Sequence, residues 1–341
     1  MSTPTANFYN QIMNRKAVAL LSGGLDSRLA IRVVQEQGIE IEALNFRTIF
    51  GCCKDEASGA AHELGVRLTV VGMDESYLDM VKRPRYGYGK GINPCVDCRI
   101  YLFDLARKFM DQVGANFVIS GEVVGQRPMS QKRRDLDIIA RDAGLEELLL
   151  RPLSAKLLPP TLPERLGIVD RERLFGFEGR SRKGLIELAR QYGFTEIPQP
   201  STGCALTEPL FANKVRDLID LSPRARQWDF ELLRVGRHFR YDSETKIVIG
   251  KDEAQNEHLR LVADQDRAPT CWIVEPENFR GPTALVTGPY SQTVLAYASG
   301  LILKYSKSYD PQNAMISRTV KGHREICTAT ESDLWLAAVA I

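Results

Sequence analysis

The stretch Ala17-Val-Ala-Leu-Leu21, followed directly by Ser22-Gly-Gly-Leu-Asp-Ser27, decides the fold of this 341-residue chain. The apolar run is typical of a buried strand, and the apolar spacing of residues 28–37 predicts a helix that ends at Gly38. The alternation from Ile39 to Phe46 predicts the next strand. Strand, glycine-rich turn, helix and strand form one βαβ step, the building unit of a parallel sheet.

The same alternation of strands and helices continues along the first half of the chain. It predicts helices at 55–64 and 96–113 and strands at 66–71 and 117–120. Together these segments predict a doubly wound parallel sheet of the α/β class, whose ligands bind at the carboxyl ends of the strands.

Beyond Ser222-Pro223 the pattern changes to short alternating strands. They are predicted at 246–250, 271–274 and 283–287. We therefore expect two domains, residues 1–222 with the doubly wound sheet and residues 223–341 as a smaller α+β domain.

Composition excludes several classes of protein. The formal net charge is only +2, so the chain is not a polycation whose whole surface binds nucleic acid. The longest apolar run, Leu334 to Ile341, is far shorter than the about 20 residues of a membrane helix, and residues 1–16 lack the apolar core of a secretory signal. We expect a cytoplasmic protein with no membrane partner, in which the seven cysteines stay reduced.

The loop at residues 22–27 has the composition of an anion-binding turn. Its glycines let the backbone approach a phosphate, and the amides and dipole of the following helix hold the anion. Ser22 and Ser27 add hydroxyl donors, and Asp26 would handle Mg²⁺ or orient the loop. A capped strand-to-helix turn without a ligand is the alternative.

The SGGxDS string resembles the fingerprint of the PP-loop ATP pyrophosphatases. The resemblance implies cleavage of ATP between its α and β phosphates, with the pyrophosphate bound on the loop. Residues expected to bind ATP are Ser22, Gly23, Gly24, Asp26, Ser27, Phe46, Gly121, Lys156 and Arg182.

Three of the cysteines stand in patterns that suggest chemistry. Cys95 and Cys98 lie at the start of a predicted helix, whose dipole favours the thiolate, and Cys204 follows in a proline-bounded turn. Three such thiols can hold a [4Fe–4S] cluster with one iron free, or Zn²⁺ without a fourth protein ligand. Without metal, one thiol can attack as a nucleophile while another carries persulfide sulfur. Packing as small apolar residues is the remaining alternative.

These cysteine motifs resemble those of bacterial tRNA 2-thiouridylases. The segments Ser120–Gln131, Arg151–Lys156 and Gly179–Lys183 resemble a sister family of 4-thiouridine synthetase-like PP-loop proteins. The usual thiouridylase string has one more residue between the glycine and the second cysteine, and Cys98 completes a CxxC pair as in iron–sulfur thiolases. Both departures favour a cluster over a persulfide relay.

The resemblance implies an ATP-dependent tRNA uridine thiolase that works through an adenylated base. Asp26, Cys95 and Cys204 would be catalytic, and Cys95, Cys98 and Cys204 would ligate the cluster. The expected cofactors are ATP, Mg²⁺ and a [4Fe–4S] cluster, with Zn²⁺ or no metal as alternatives. The expected partners are tRNA and a sulfur donor, either sulfide or desulfurase-derived sulfur. The oligomeric state is left open, a homodimer included.

Lys and Arg exceed the acids locally, from Val123 to Lys183 and from Arg224 to Arg240. The second of these regions also resembles the RNA-binding module of NFACT-type proteins. Residues expected to bind RNA are Arg127, Lys132, Arg133, Arg134, Arg237 and Arg240.

Two other functions remain open from the sequence. One is a PP-loop ligase or amidotransferase-like enzyme whose cysteines are structural or bind zinc, and the other is a non-catalytic RNA-binding adaptor. Cys52 and Cys53 are assigned to packing or to a loop near the substrate, with sulfur handling by Cys53 as the alternative. For His238 and His258, an ordinary surface position is as good an expectation as any other.

Overall fold

A computed structural model describes residues 14–51, 56–200, 203–329 and 338–341. The chain divides into two compact units, residues 1–205 and 206–341. The sequence places the boundary one helix later, at 222/223, because a proline follows that helix. The helix in question, Pro209–Leu221, groups with the second unit.

The first unit is built on a five-stranded parallel sheet with the strand order β3-β2-β1-β4-β5. The strands are β1 Lys16–Leu20, β2 Glu40–Arg47, β3 Arg67–Gly72, β4 Phe117–Ile119 and β5 Leu149–Leu150. Ala17 pairs with Ile41 on one side and with Phe117 on the other. Because the strand order reverses at β1, a crevice opens between the carboxyl ends of β1 and β4. The predicted doubly wound α/β fold is confirmed.

Helices cover both faces of this sheet. They are α1 Leu25–Gln35, α2 Glu56–Leu64, α3 Glu75–Lys82, α4 Cys95–Val113, α5 Arg133–Asp142, α6 Leu162–Arg165 and α7 Lys183–Gln191. Apolar residues of α1, α2 and α7 form the core on one face, and those of α4 and α5 form it on the other. Helix α4 ends at Gly114, whose left-handed backbone (φ 65°) closes the last turn. The sequence predicted α1, α2 and α4 but missed α3, α5, α6 and α7.

The second unit contains a six-stranded antiparallel sheet with the order β11-β10-β8-β9-β7-β6. Its strands are β6 Arg237–Arg240, β7 Lys246–Ile249, β8 Cys271–Pro276, β9 Ala284–Thr287, β10 Met315–Val320 and β11 His323–Thr328. Its helices are α8 Pro209–Leu221, α9 Gln227–Leu232, α10 Glu253–Ala263 and α11 Gln292–Tyr305. Helices α9 and α10 pack on one face and α11 on the other, which confirms the smaller α+β domain.

His238 lies inside the second unit, so its assignment to the surface is wrong. The side chain is 0% exposed, and its Nε2 is 2.8 Å from the carbonyl oxygen of Val235. Burial, with the nearby Lys246, lowers the pKa of His238 well below its usual value, so the ring is neutral. His258 is exposed, as expected.

None of the helices in the described ranges is both long enough and apolar enough to cross a membrane.

Candidate active site

The phosphate loop, residues 22–27, joins β1 to α1 and depends on glycine for its shape. Gly23 has a φ of +84°, and a Cβ atom there would lie 2.5 Å from the backbone carbon of Glu56. Ser27 Oγ donates to the carbonyl oxygen of Gly24 at 2.9 Å and lies 3.2 Å from Ser22 Oγ. This tight turn brings the amino-terminal amides of α1 to the end of β1, where they can bind an anion.

Gly121 brings the segment after β4 against this loop. A Cβ atom at position 121 would lie 2.6 Å from the backbone carbon and oxygen of Asp26 and 2.6 Å from the nitrogen of Ser27. No side chain fits there without moving the loop. Gly121 therefore closes the inner wall of the crevice, at the position where the sequence predicted an ATP contact.

Asp26 presents a buried oxygen that lacks a partner. Its Oδ1 accepts no hydrogen bond from any of the residues that the structure describes. Burial raises the pKa of Asp26, while a hydrogen bond from Gln126 and the charges of Arg182 and Arg127 act in the opposite direction. A buried acceptor without a partner is costly, and a hard oxygen at a phosphate loop fits Mg²⁺.

The CxxC pair occupies the first turn of α4. The carboxylate of Asp97, between the two cysteines, accepts from the amides of Arg85 (2.8 Å) and Tyr86 (3.0 Å) and so anchors the turn. Cys98 Sγ lies 3.4 Å from Tyr77 Oη. Burial raises the pKa of Cys98, more than Tyr77 and Arg99 lower it. Desolvation of the Cys98 thiol therefore opposes the expected effect of the helix dipole on its pKa.

Cys204 reaches the same neighbourhood from a distant part of the chain. The amide of Ala205 donates to the carbonyl oxygen of Phe50 at 3.0 Å, which ties this segment to the loop after β2. Burial raises the pKa of Tyr77 well above its usual value, and the charges of Cys98 and Cys204 both add to the effect. Cys98 contacts the Tyr77 hydroxyl directly, and the charge of Cys204 acts on the same hydroxyl.

The donor set can be tested against the metals expected from the sequence. Within the described ranges, no three His, Cys, Asp or Glu side chains are placed so that they could hold a single metal ion. The three cysteines are included in that statement, so their spacing gives no support to the Zn²⁺ alternative. A purely thiol donor set is nevertheless what an iron–sulfur cluster takes, one thiolate for each ligated iron.

A buried network of charges links the cysteine helix to the phosphate loop. Glu122 is 3% exposed; Arg151 Nε donates to its Oε2 at 3.0 Å, and Arg99 Nε lies 3.7 Å from its Oε1. The guanidinium of Arg127 is attracted by Cys95 and Asp26 and repelled by Arg99. Because Gly121, next to Glu122, packs on Asp26, this charge network joins the start of the cysteine helix to the phosphate loop.

The other residues predicted to bind ATP are placed differently from one another. Phe46 ends β2 with its ring 5.2 Å from that of Tyr77. Arg182 donates to the carbonyl oxygen of Pro198 at 3.0 Å and acts on Asp26. Lys156 instead donates to the carbonyl oxygen of Glu172 at 2.9 Å. All of these roles stay predictions.

The residues predicted to bind RNA fall into two groups. Lys132, Arg133 and Arg134 are exposed at the start of α5. In the second unit, Arg237 stacks over the ring of Tyr305, with 4.6 Å between guanidinium carbon and ring centre. Arg240 forms a two-pronged ion pair with Asp217. The exposed group is open to a ligand, whereas Arg240 is already paired.

Sequence reasoning missed four residues of the crevice: Tyr77, Arg99, Glu122 and Gln126. Glu122 and Gln126 lie inside a quoted motif, so the motif marked the segment but not the roles. Tyr77 and Arg99 had no signal beyond ordinary helical spacing. Cys52 and Cys53 lie outside the described residues.

Comparisons with known proteins bear on both units. Residues 15–143 match the family of the tRNA methyl transferase HUP domain, and residues 236–333 match the NFACT protein RNA binding domain. The tRNA-specific 2-thiouridylase MnmA of Sulfurimonas denitrificans is 32% identical over 121 residues, 33% of this chain and 36% of that protein. The bifunctional protein NifU/MnmA of Rubrobacter xylanophilus is 31% identical over 137 residues, 36% of this chain and 28% of that one. The chain thus spans about a third of the length of these relatives.

Two solved structures are similar at a lower level. A 4-thiouridine synthetase–RNA complex with bound ATP is 20% identical, with a TM-score of 0.38, and covers 63% of this chain and 53% of that one. A predicted subunit of tRNA methyltransferase from Methanocaldococcus jannaschii is 15% identical, with a TM-score of 0.38, and covers 59% and 87%.

The sheet topology and the phosphate loop of the first unit agree with its match to the HUP domain family over residues 15–143. The first unit is similar to tRNA-specific 2-thiouridylases over about a third of the chain, and residues 236–333 of the second unit match the NFACT protein RNA binding domain.

Proposed function

We propose that this protein is an ATP-dependent tRNA uridine thiolase. The observation that carries the proposal is that one segment touches both sites: Gly121 packs on the phosphate loop at Asp26, and its neighbour Glu122 lies 3.7 Å from Arg99 of the cysteine helix. In thiolation, the carbon atom that is activated by the α-phosphate of ATP is the one that the sulfur attacks, so the sulfur source must lie beside the phosphate site. A ligase whose cysteines only pack has no need for this neighbourhood.

The first step is adenylation of the base. The carbonyl oxygen of a flipped uracil attacks the α-phosphate of ATP, an O–P bond forms, and pyrophosphate leaves. The loop amides and a Mg²⁺ ion held by Asp26 would neutralise the charge that develops on the leaving group. Gly121 keeps the inner wall low enough for the phosphates to reach the loop.

The second step replaces oxygen by sulfur. Hydrosulfide forms a bond to the activated carbon, the C–O bond breaks, and AMP leaves with the former carbonyl oxygen. The sulfur proton is lost to water or to the departing phosphate. No electrons are exchanged, so this route needs no reductant.

Cys95, Cys98 and Cys204 would hold a [4Fe–4S] cluster with one iron free of protein ligands. Bound there, a cluster would supply sulfide beside the activated base. The competing route passes sulfur as a persulfide on one cysteine, and it must end in a disulfide with a second cysteine that an external thiol then reduces. Under either route, Tyr77 fixes the position of the Cys98 sulfur.

The sulfur route can be decided by spectroscopy. Protein purified without oxygen should show the broad visible absorbance of thiolate-to-iron charge transfer, and this absorbance should vanish in Cys98→Ser. A colourless protein that still thiolates when given a thiol reductant would favour the persulfide route.

The second unit would bind the tRNA. It matches an RNA binding domain over most of its length, and the exposed Lys132, Arg133 and Arg134 of the first unit would contact the same substrate near the crevice. The sulfur donor would be sulfide or sulfur delivered by a desulfurase.

The test is a paired measurement of pyrophosphate release and of thiouridine, the latter by mass spectrometry, with unmodified tRNA, ATP, Mg²⁺ and sulfide. We expect Asp26→Asn to lower both products by about 10²–10³-fold, since charge stabilisation at the loop is lost. Cys95→Ser should keep releasing pyrophosphate in the adenylation step and lose thiouridine.

The matched control is Cys271→Ser, which changes a half-buried thiol of the second unit and should leave both products unchanged. ATP cleavage by the wild-type protein without thiouridine would favour the ligase or amidotransferase-like alternative. Full activity of Asp26→Asn would favour the adaptor.

A further inference from the structure

We propose that residues 83–91, the loop that precedes the cysteine helix, form a surface that binds single-stranded RNA beside the target base. This segment is called the tyrosine loop. The inference rests on the proposed function, for which it supplies a contact surface for the tRNA in the first unit. None of these residues is among those that the sequence led us to expect at RNA.

The tyrosine loop lies in a stretch of unusual composition. Residues 82–94 carry four cations and no acid. The cations are Lys82, Arg83, Arg85 and Lys90, and they alternate with two tyrosines and three glycines. Cations that bind phosphate, rings that stack on bases and glycines that leave room for both are typical of sites for single-stranded RNA.

Both tyrosines of the loop have an exposed ring and a hydroxyl group that the protein holds. Tyr86 and Tyr88 are each 37% exposed. Tyr88 Oη donates to the carbonyl oxygen of Val81 at 2.7 Å and lies 3.0 Å from that of Lys82. Tyr86 Oη donates to Oδ2 of Asp142 at 2.5 Å. Because the hydroxyl groups are bound, each ring is oriented and presents an aromatic surface to solvent.

The tyrosine loop is attached to the first turn of the cysteine helix. Asp97 of that turn is 7% exposed, and its carboxylate accepts from the amides of Arg85 at 2.8 Å and Tyr86 at 3.0 Å. Farther along the loop, the amide of Gly89 donates to the carbonyl oxygen of Asn93 at 2.8 Å. A nucleotide bound on the tyrosine loop therefore lies next to the turn that carries the cysteines.

The tyrosine loop also joins the exposed cations at the start of α5. Arg85 pairs with Asp142, the last residue of α5, at 3.0 Å. At the other end of that helix, a Cβ atom on Gly89 would collide with Cε of Met129, which is 39% exposed and lies three residues before Lys132. The loop thus contacts the α5 segment at both ends, and the two form one basic surface with aromatic and apolar groups at its centre.

RNA fits this surface better than an acidic protein does. The cations alone would hold an acidic protein, and two oriented rings would add little to its binding. A duplex buries the faces of its bases, whereas the bases of an unpaired tRNA segment are open to stacking. A uridine that is flipped out for reaction also leaves its neighbours partly unstacked. The occupant that we assign is therefore an unpaired tRNA segment next to the target uridine.

The test is the affinity of the full-length protein for unmodified tRNA, measured by fluorescence anisotropy without ATP or sulfide. We expect Tyr88→Ala to weaken binding about 10-fold, which corresponds to roughly 1.4 kcal/mol and to the loss of one stacked base. Tyr88→Phe keeps the ring and should keep most of the affinity. Lys90→Gln should lower the slope of log affinity against log salt by about 0.7, the contribution of one phosphate of a single strand.

Two matched controls lie elsewhere on the first unit. Val70→Ala shortens an apolar side chain of β3 that is 43% exposed, and Lys108→Gln removes an exposed charge of α4 that pairs with Asp104 at 2.7 Å. Both should bind tRNA as the wild type does. A further measurement needs no substitution. Ultraviolet cross-linking of the wild-type protein to tRNA, followed by mass spectrometry of tryptic peptides, should attach nucleotides to residues 86–90.

Each outcome bears on the proposal. Wild-type affinity in Tyr88→Ala with no cross-link at residues 86–90 overturns it, and an acidic protein then becomes the better occupant. Equal losses in Tyr88→Phe and Tyr88→Ala overturn the stacking role of the ring. A wild-type protein that binds no tRNA contradicts the proposed function itself. A protein that binds tRNA through the tyrosine loop but forms no thiouridine contradicts the thiolation and leaves the RNA surface standing.

Discussion

The two units of this chain treat their charged side chains in opposite ways. In the first unit, Asp26 Oδ1 is buried and has no hydrogen-bond partner among the described residues. In the second unit, Asp217 binds Arg240 at 2.6 Å and Lys246 at 3.3 Å, and the three side chains are 5–14% exposed. Buried charges that are paired with one another stabilise a fold, whereas a buried polar atom without a partner is costly and is typical of a ligand-binding site. This difference indicates a ligand-binding role for the crevice and a structural role for the cluster of Asp217, Arg240 and Lys246.

The largest effect on stability that would test this difference between the units is expected at Asp217. Asp217→Asn removes the one negative charge of the cluster and leaves Arg240 and Lys246 facing each other while nearly buried. Breaking such a pair should lower the free energy of unfolding of the second unit by about 3 kcal/mol at pH 7. Urea denaturation followed by fluorescence of Trp228 and Trp272, both in this unit, would measure it.

The control for this variant is Asp310→Asn, which removes an exposed carboxylate of the same unit. The loss should also shrink as pH rises, because burial lowers the pKa of Lys246 to about 8 in the wild type, the loss of Asp217 lowers it further, and the neutral amine no longer repels Arg240. A loss of less than ~0.5 kcal/mol at pH 7, within the range of ordinary surface changes, would contradict the structural role.

The opposite sign is expected at Asp26. Asp26→Asn replaces a buried, incompletely paired carboxylate by a neutral amide of the same shape, so it should raise stability by about 1 kcal/mol at pH 7 while activity is lost. Burial raises the pKa of Asp26 above its unfolded value of 3.8, so the native state holds its proton more tightly. The stability penalty of the wild type is therefore full above the raised pKa and disappears as pH falls toward 3.8.

Thermal unfolding of Asp26→Asn and wild type at a series of pH values would measure this gap. A variant that is less stable than the wild type at pH 7 would show that Asp26 is structural. In that case the contrast between the two units would be wrong at its central residue.

The sequence predicted the parallel sheet because its strands are continuous apolar runs separated by glycines. It missed α5 because Arg133–Asp142 begins with two arginines and carries few apolar residues, of which Leu136 and Ile139 face the core. It missed β11 because this edge strand is exposed on both faces, with Ile326 52% exposed, so no alternation marks it.

The sequence predicted those parts of the candidate site that lie in short motifs. Ser22–Ser27 and the Cys95–Cys98 pair carry their own signals, and each lies on one turn of the chain. The segment of Cys204 is tied to the loop after β2 by a backbone hydrogen bond between Ala205 and Phe50. These residues are far apart in the sequence, so no local pattern predicts the contact.

The smallest expected effect concerns Lys214, a cation of the second unit that contacts backbone carbonyl oxygens. Its Nζ lies 3.2 Å from the oxygen of Gly236 and 3.4 Å from that of Leu233. Burial, with the charge of Lys251, lowers the pKa of Lys214 from 10.5 to about 8. The unfolded chain therefore binds more protons between these values, so the stability contributed by Lys214 rises with pH across that window.

Lys214→Met should be slightly more stable than wild type at pH 7, and the advantage should shrink between pH 8 and 10.5. Lys307→Met, at an exposed position, should show no such pH-dependent difference. A constant difference for Lys214→Met would mean that Lys214 titrates as an ordinary surface lysine, and the second unit would then hold no uncompensated charge at this position.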